Sequence, residues 1–478
     1  MNPLQRLIRN LATSLDMRWM PFADAATAEL PLPRLLRLSL FQFSIGVATA
    51  LLVGTLNRVM IVELGVPAWW VALSVALPLV SAPLRALIGF RSDTHRSSLG
   101  LRRLPYLWKG SLLLFGGLAI MPFGLLAVSE PQPGMEWFSR FGAGLAFLLV
   151  GIGMQVTQTA GLALATDLAT PETRPRVVAL MYTMLLLGLV GSGSLFGWLL
   201  ADFSPLRLIQ VVQGSAVVVA ILNFNALWKQ EALNRARAKR RDDDTENFST
   251  HWRAYVERPG VRRFLWTVGL GTCAFNMQDI ILEPYGGEVL KLGVGATSVL
   301  TALTACGALL AFGASAKLLS RGIDASRLAA LGALAGLPAF SFVIFSAPLD
   351  APNLFRLGAF LIGVGGGLFS VGTLTMAMEL QVGDSAGMAL GAWGAVQATA
   401  AGAAIAAGGM IKDVIGSLAS AGQLGESLVS PVTGYSFVYH IEMFLLFAVL
   451  IAIGPLTSRL RAIGEVQQRR FGLAELPG

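Results

Sequence analysis

Charge is scarce in this chain. Aspartate, glutamate, lysine and arginine together make up 13% of its 478 residues, about half the share in an average soluble domain. A conventional water-facing surface over most of its length is therefore excluded. Histidine is scarcer still, at three residues. His95 and His251 fall in polar loops, so only His440 is placed to act as an imidazole ligand inside an apolar segment, and a lone histidine there also reads as a hydrogen-bonded structural residue. Both cysteines, Cys273 and Cys306, sit within apolar runs, which leaves no disulfide framework and no metal-ligand spacing. Nothing resembles a nucleophile triad, a phosphate-binding glycine loop or a metal cluster, so no catalytic residue and no metal site is expected.

What the chain has instead is apolar length. It is 54% hydrophobic and contains 53 glycines, and windows of about 20 residues, enough to cross a bilayer as helix, recur along it. They fall at 37–62, 68–90, 106–128, 140–166, 176–201, 207–228, 264–284, 294–319, 327–347, 355–380, 387–411 and 435–457, which makes twelve spans. An even number puts both termini on one side of the membrane. If that side is the cytoplasm, 29 lysines and arginines are cytoplasmic, against five on the opposite face, as the positive-inside rule requires. The net charge of +8 is then a topology signal and an attraction to anionic lipid, not a nucleic-acid footprint. No cleavable signal precedes the first span. Leu4, Leu7, Ile8, Leu11, Leu15 and Trp19 fall at helical spacing, as in a helix lying in the headgroup layer or docking another protein.

The longest polar segment, 229–263, contains the charge block from Lys239 to Asp244 and reads as a cytoplasmic linker. It divides the chain into an amphipathic N-terminal segment (1–36), a six-span half (37–228), the linker, a second six-span half (264–457) and a cytoplasmic tail (458–478). Leu64-Gly65-Val66-Pro67-Ala68 opens the second span and Leu292-Gly293-Val294-Gly295-Ala296 opens the eighth, as duplication of a six-span unit demands. An all-α membrane protein of two pseudo-symmetric six-helix halves has the architecture of the major facilitator superfamily. The loop after the second span, Gly89-Phe90-Arg91-Ser92-Asp93-Thr94-His95-Arg96 continuing to Arg102-Arg103, carries that superfamily's pieces in stretched form. Asp93, Arg96, Arg102 and Arg103 could latch the halves at the cytoplasmic side, or the loop could only fix topology. Glycines concentrated in the fifth, tenth and eleventh spans allow close helix approach, or leave room for a flat ligand or a foreign helix.

Polar residues inside spans are the remaining signal, because an ionisable group in hydrocarbon costs several kcal/mol. Arg58 in the first span and Glu283 in the seventh lie at similar depth, so Arg58 is expected to pair with Glu283 or Asp279, either as a clamp between the halves or as a gate. Pro284 and Gly286-Gly287 mark a break in the seventh helix, a feature found beside transporter binding sites. Gln155, Thr157, Gln158 and Thr159 in the fourth span, with Asn276 and Gln278 in the seventh, could bond between helices or contact a polar ligand. Glu379, Gln381 and Asp384 close the tenth span and are read as caps or bridges.

Four separated runs carry a resemblance to a known family: Gly54-Thr55-Leu56-Asn57-Arg58-Val59-Met60-Ile61-Val62-Glu63-Leu64, Arg85 to Arg96, Thr170 to Tyr182, and Leu282-Glu283-Pro284-Tyr285-Gly286-Gly287-Glu288. They resemble the PucC/LhaA, or bacteriochlorophyll delivery, family of the major facilitator superfamily, from Leu35 to about Leu456, and look most like its LhaA branch. The resemblance implies a non-catalytic assembly factor for a light-harvesting complex in the intracytoplasmic photosynthetic membrane of a bacterium. It implies light-harvesting α and β polypeptides, the reaction centre with its LH1 antenna, and pigment-synthesis enzymes as partners, with bacteriochlorophyll as a transient or bound pigment. A transporter of pigment, precursor or another small solute is the alternative. Its family-like residues are Asn57, Arg58, Glu63, Asp93, Arg96, Asp279, Glu283 and Tyr285. With Gln155, Gln158, Asn276 and Gln278, Asn57, Tyr285 and His440 are the candidate pigment or polar-ligand contacts.

Overall fold

A computed structural model describes residues 30–80, 103–129, 134, 136–170, 173–230, 257, 260–379 and 386–469. Among them every regular element is helical. Helix α1 (Leu32–Thr49) continues through wider π-helical turns at Ala50–Leu56 and Val59–Glu63. It is followed by α2 (Ala68–Val80), α3 (Leu104–Ser129), α4 (Glu136–Leu168), α5 (Arg174–Leu199) and α6 (Pro205–Leu227). The second half comprises α7 (Val261–Asn276), α8 (Leu282–Glu288), α9 (Val294–Ser320), α10 (Ala325–Ser346), α11 (Pro352–Glu379), α12 (Ala386–Ser420) and α13 (Val432–Arg469).

Ten of these helices are long and apolar enough to cross a membrane. The other two expected crossings are α2, whose described part ends at Val80, and the interrupted seventh span, made of α7, a 3-10 turn at Met277–Ile280 and α8. Local sequence sets the ends. Pro33, Pro175 and Pro205 stand in first turns, where a missing N–H is not needed, and the Ser204 side chain caps α6 by accepting from the Arg207 N–H at 3.2 Å.

The two halves repeat each other's packing. In the first half α1 lies against α5 and α6, while α3 lies along α4. In the second half α7 takes the place of α1 against α12 and α13, while α10 lies along α11. Between halves, α2 packs on α12 and α5 on α9, the same contact six spans apart. The architecture is the pseudo-symmetric twelve-span one expected of the sequence. Large apolar side chains such as Trp137, Phe138, Trp198, Phe444 and Ile451 point outward, the surface a bilayer requires.

The break in the seventh span lies upstream of where the sequence placed it. Pro284, Gly286 and Gly287 are inside α8, and the helix is interrupted over Met277–Ile280. Proline has no N–H and its ring collides with the carbonyl one turn earlier. The helix therefore yields before Pro284 and restarts with the proline in its first turn.

Candidate functional site

Successive spans run in opposite directions, so the links 64–67, 200–204, 289–293 and 421–431 share one face, opposite the start of α1 and the end of α13, called here the far face. The interrupted α7–α8 stretch and the π turns of α1 meet near it. The broken helix leaves backbone carbonyls without partners, and Asn57 takes two of them, its Nδ2 donating to Asp279 O at 3.3 Å and Ile280 O at 3.4 Å. Wide π turns of this kind are common at functional sites.

Arg58 is 3% exposed and does not pair with Glu283 or Asp279. Its Nη1 bonds the Glu63 carboxylate at 2.5 Å, and its Nη2 donates to Leu292 O across the halves at 2.9 Å. Gly287 makes room for the guanidinium, since a Cβ there would stand 2.9 Å from Nη2. Glu63, one turn further along α1 and reaching water with a 37% exposed side chain, is the nearer partner and the less costly one to keep charged. Glu283 accepts from the Thr301 hydroxyl at 2.5 Å, and its second oxygen has no partner. Gly54 lets α1 close over it, because a Cβ there would lie 2.9 Å from Glu283 Oε1.

Asp279 accepts from Gln278 Nε2 at 2.5 Å and lines a cavity of about 230 Å³ together with Phe275, Asn276, Gln278, Ser370 and Gln397. Gln397 donates to Ser370 at 3.1 Å, whereas Gln278 Oε1 is unpartnered. The lining combines amide and carboxylate groups with the rings of Phe275 and Phe369, a mixture suited to a small polar ligand. Glu442, in the last span, was not singled out from the sequence. It is fully buried and its Oε1 accepts from the Gln278 N–H, freed by the helix break, at 2.7 Å. The signal was an acidic residue within the apolar run 435–457, of the same kind that flagged Glu283.

Other sequence candidates separate from this centre. Tyr285 is 1% exposed, donates to Val343 O at 3.2 Å and packs edge-on against Tyr435 and Tyr439, so it is a core residue and not a ligand contact. Gln158 reaches Gln42 at 3.5 Å within the first half, and Gln155 stays in that half with its Oε1 unpartnered. Arg103 bonds Asp167 at 3.1 Å, tying the start of α3 to the end of α4. Asp93, Arg96 and Arg102, like residues 1–20 and the 381–385 link, lie outside the described residues. His440 is exposed on α13 and is not among the residues that line the cavity. No group of three or more metal-ligating side chains occurs among the described residues.

The far face is closed by hydrogen bonds between the halves. Besides Asn57 and Arg58, Thr55 meets Ser298 at 3.1 Å, and the Trp69 N–H donates to Asp413 Oδ2 at 2.7 Å. Lys412 lies 3.8 Å from Glu288 and over the Tyr435 ring at 5.0 Å, and Tyr435 donates to Glu288 at 2.7 Å.

Residues 55–460 match the family model described as PUCC protein. The chain is 51% identical to a Rhodobacter capsulatus protein described as "Uncharacterized protein in puhA-bchM intergenic region", covering 98% of this chain and 99% of that one. It is also 51% identical to Protein PucC of Rhodovulum sulfidophilum over 87% of this chain and 92% of the relative. A more distant relative, 27% identical over 89% of this chain and 96% of its own length, is described as the bacteriochlorophyll synthase 44.5 kDa chain of Rhodobacter capsulatus. Among solved structures, a mutant of the nucleoside transporter NupG superposes with a TM-score of 0.65 at 15% identity, covering 88% of this chain and 99% of that one. The last likeness concerns the fold alone.

Proposed function

Because the chain belongs to the PUCC protein family, we propose that it is a non-catalytic assembly factor for a photosynthetic light-harvesting complex. In this reading it docks antenna α and β polypeptides of the LH1 ring around the reaction centre and delivers bacteriochlorophyll to them. It sits in the photosynthetic membrane with both termini in the cytoplasm, the side favoured by the lysine and arginine distribution. Pigment-synthesis enzymes are further partners on that side.

The observation that carries the reading is the family match over residues 55–460, together with relatives about half identical over most of the chain that are described as Protein PucC. The described cavity beside Asp279, at about 230 Å³, falls below the range of pockets that enclose drug-sized ligands, so it is not where the pigment is placed here. In this reading pigment and single-span polypeptides are handled on the lipid-facing exterior. The description of one relative as a chain of bacteriochlorophyll synthase supports a link to this pigment. The family match and the transporter-like fold support a non-enzymatic reading.

Solute transport is the second reading, favoured by the polar side chains of Asp279, Asn276 and Gln397 lining the cavity. Replacing Asp279 by Asn separates the two. Antenna content of the membrane, read from its absorption spectrum, should be changed less than twofold by Asp279→Asn and fall severely when the whole chain is removed. Loss of flux of a defined solute in the variant, with antenna content intact in the strain lacking the chain, would favour transport instead.

A further inference from the structure

The last span carries a polar side chain that the far-face site does not use. Along α13, Tyr435, Val438, Tyr439, Glu442 and Leu446 are buried, while Phe437, His440, Phe444, Phe447 and Ile451 are exposed. The exposed positions recur at three- and four-residue steps and form one stripe. In a membrane-spanning helix that stripe faces lipid. Four of its members are apolar. His440 is the exception, and a polar group facing hydrocarbon is costly enough to demand a role.

The imidazole is also oriented. Its Nδ1 lies 2.7 Å from Ser436 O, one turn earlier. A carbonyl oxygen only accepts, so Nδ1 carries the proton, and in the neutral ring the lone pair is on Nε2. No described residue bonds Nε2. A backbone carbonyl holding one ring nitrogen while the other is free is the arrangement by which histidine ligands of metals are fixed.

One imidazole does not hold a bare metal ion, which needs several protein donors, and none assemble among the described residues. It does suit a metal whose other positions are already filled by a flat macrocycle, as an axial ligand. Phe437 and Phe444, 48% and 74% exposed, stand one turn on either side of His440 and offer apolar contact to such a ring.

We propose that His440 is an axial ligand for a magnesium tetrapyrrole bound on the lipid-facing surface of α13, in the stripe between Phe437 and Phe444. The proposal rests on the pigment-handling reading above and places the pigment outside the bundle, not in the Asp279 cavity.

The test uses the full chain in lipid nanodiscs with two probes, bacteriochlorophyll a and its magnesium-free counterpart. Wild type should bind the magnesium form at least tenfold more tightly and show the visible-band shift that accompanies axial ligation. His440→Leu should lose both the preference and the shift while retaining its thermal unfolding profile, and added free imidazole should restore the shift. Should His440→Leu not fold, His440→Asn serves the same comparison. An unchanged shift in these variants, equal binding of both probes by wild type, or no binding of either, overturns the assignment. Capture of antenna polypeptides by the same nanodiscs is scored separately. Capture without His440-dependent ligation overturns this inference alone, whereas loss of capture overturns the assembly reading.

Discussion

Arg58 ties three parts of the far face together. Its guanidinium bonds Glu63, reaches Leu292 O in the other half and lies against Gly287. Arg58→Ala removes all three contacts and leaves the Leu292 carbonyl unpaired at a part-buried site, while Glu63 still reaches water, so a loss of about 1–3 kcal/mol is expected. Glu63→Gln keeps a bonding oxygen at a part-exposed position and should cost about 1 kcal/mol or less. Thermal unfolding of the purified variants would order them, and equal losses would contradict the account. Glu442 gives a second comparison. Glu442→Gln retains an oxygen for the Gln278 N–H and should be nearly neutral, whereas Glu442→Leu leaves that N–H buried and unpaired, at about 1–3 kcal/mol. At this scale the sequence made Arg58, Asp279 and Glu283 legible, because charge stands out in hydrocarbon. It misdirected the pairing, since matching depth identifies residues at one level but not which is closest once π turns rotate α1. Glu442 was equally visible and passed over beside His440.

Among the elements, the seventh span shows what a proline signal does and does not locate. Pro284 announces an interruption, yet the ring acts on the turn before it, so the break falls at Met277–Ile280. The freed groups are then taken by Asn57 and Glu442. If those bonds hold the break open, Pro284→Ala should leave it in place and change stability by about 1 kcal/mol or less. Amide hydrogen exchange at Gln278–Ile281 is the readout, and strong new protection, as in a continuous helix, would contradict it. The π turns of α1 had no signal in the sequence. Their apolar run reads as ordinary helix, and only the packing of Asn57 and Arg58 against the other half reveals the widening. Helix number and order were legible because bilayer thickness fixes the length of each apolar run.

For the whole molecule, the question is whether the far face opens. Five described residue pairs join the halves there: Thr55–Ser298, Asn57–Asp279, Asn57–Ile280, Arg58–Leu292 and Trp69–Asp413. An assembly factor working from its outer surface has no need to part them, whereas an alternating-access transporter must. A Thr55→Cys, Ser298→Cys pair, in a background lacking Cys273 and Cys306, brings two thiols to positions whose hydroxyls are 3.1 Å apart. Oxidising it should leave antenna assembly within twofold of the reduced protein, and abolished assembly on oxidation would show that the far face has to move. Duplication of the fold was legible in the repeat at Leu64 and Leu292. The partners were not, because a lipid-facing surface is apolar whether it meets lipid, pigment or another helix.

The most direct test of the central claim is to purify the tagged full-length chain from a pigmented photosynthetic membrane in mild detergent. The co-purifying polypeptides are then identified by mass spectrometry and the pigment by extraction. The account predicts LH1 α and β polypeptides together with bacteriochlorophyll, at levels well above those from an untagged strain. Recovery of the chain with neither antenna polypeptide nor pigment would contradict it.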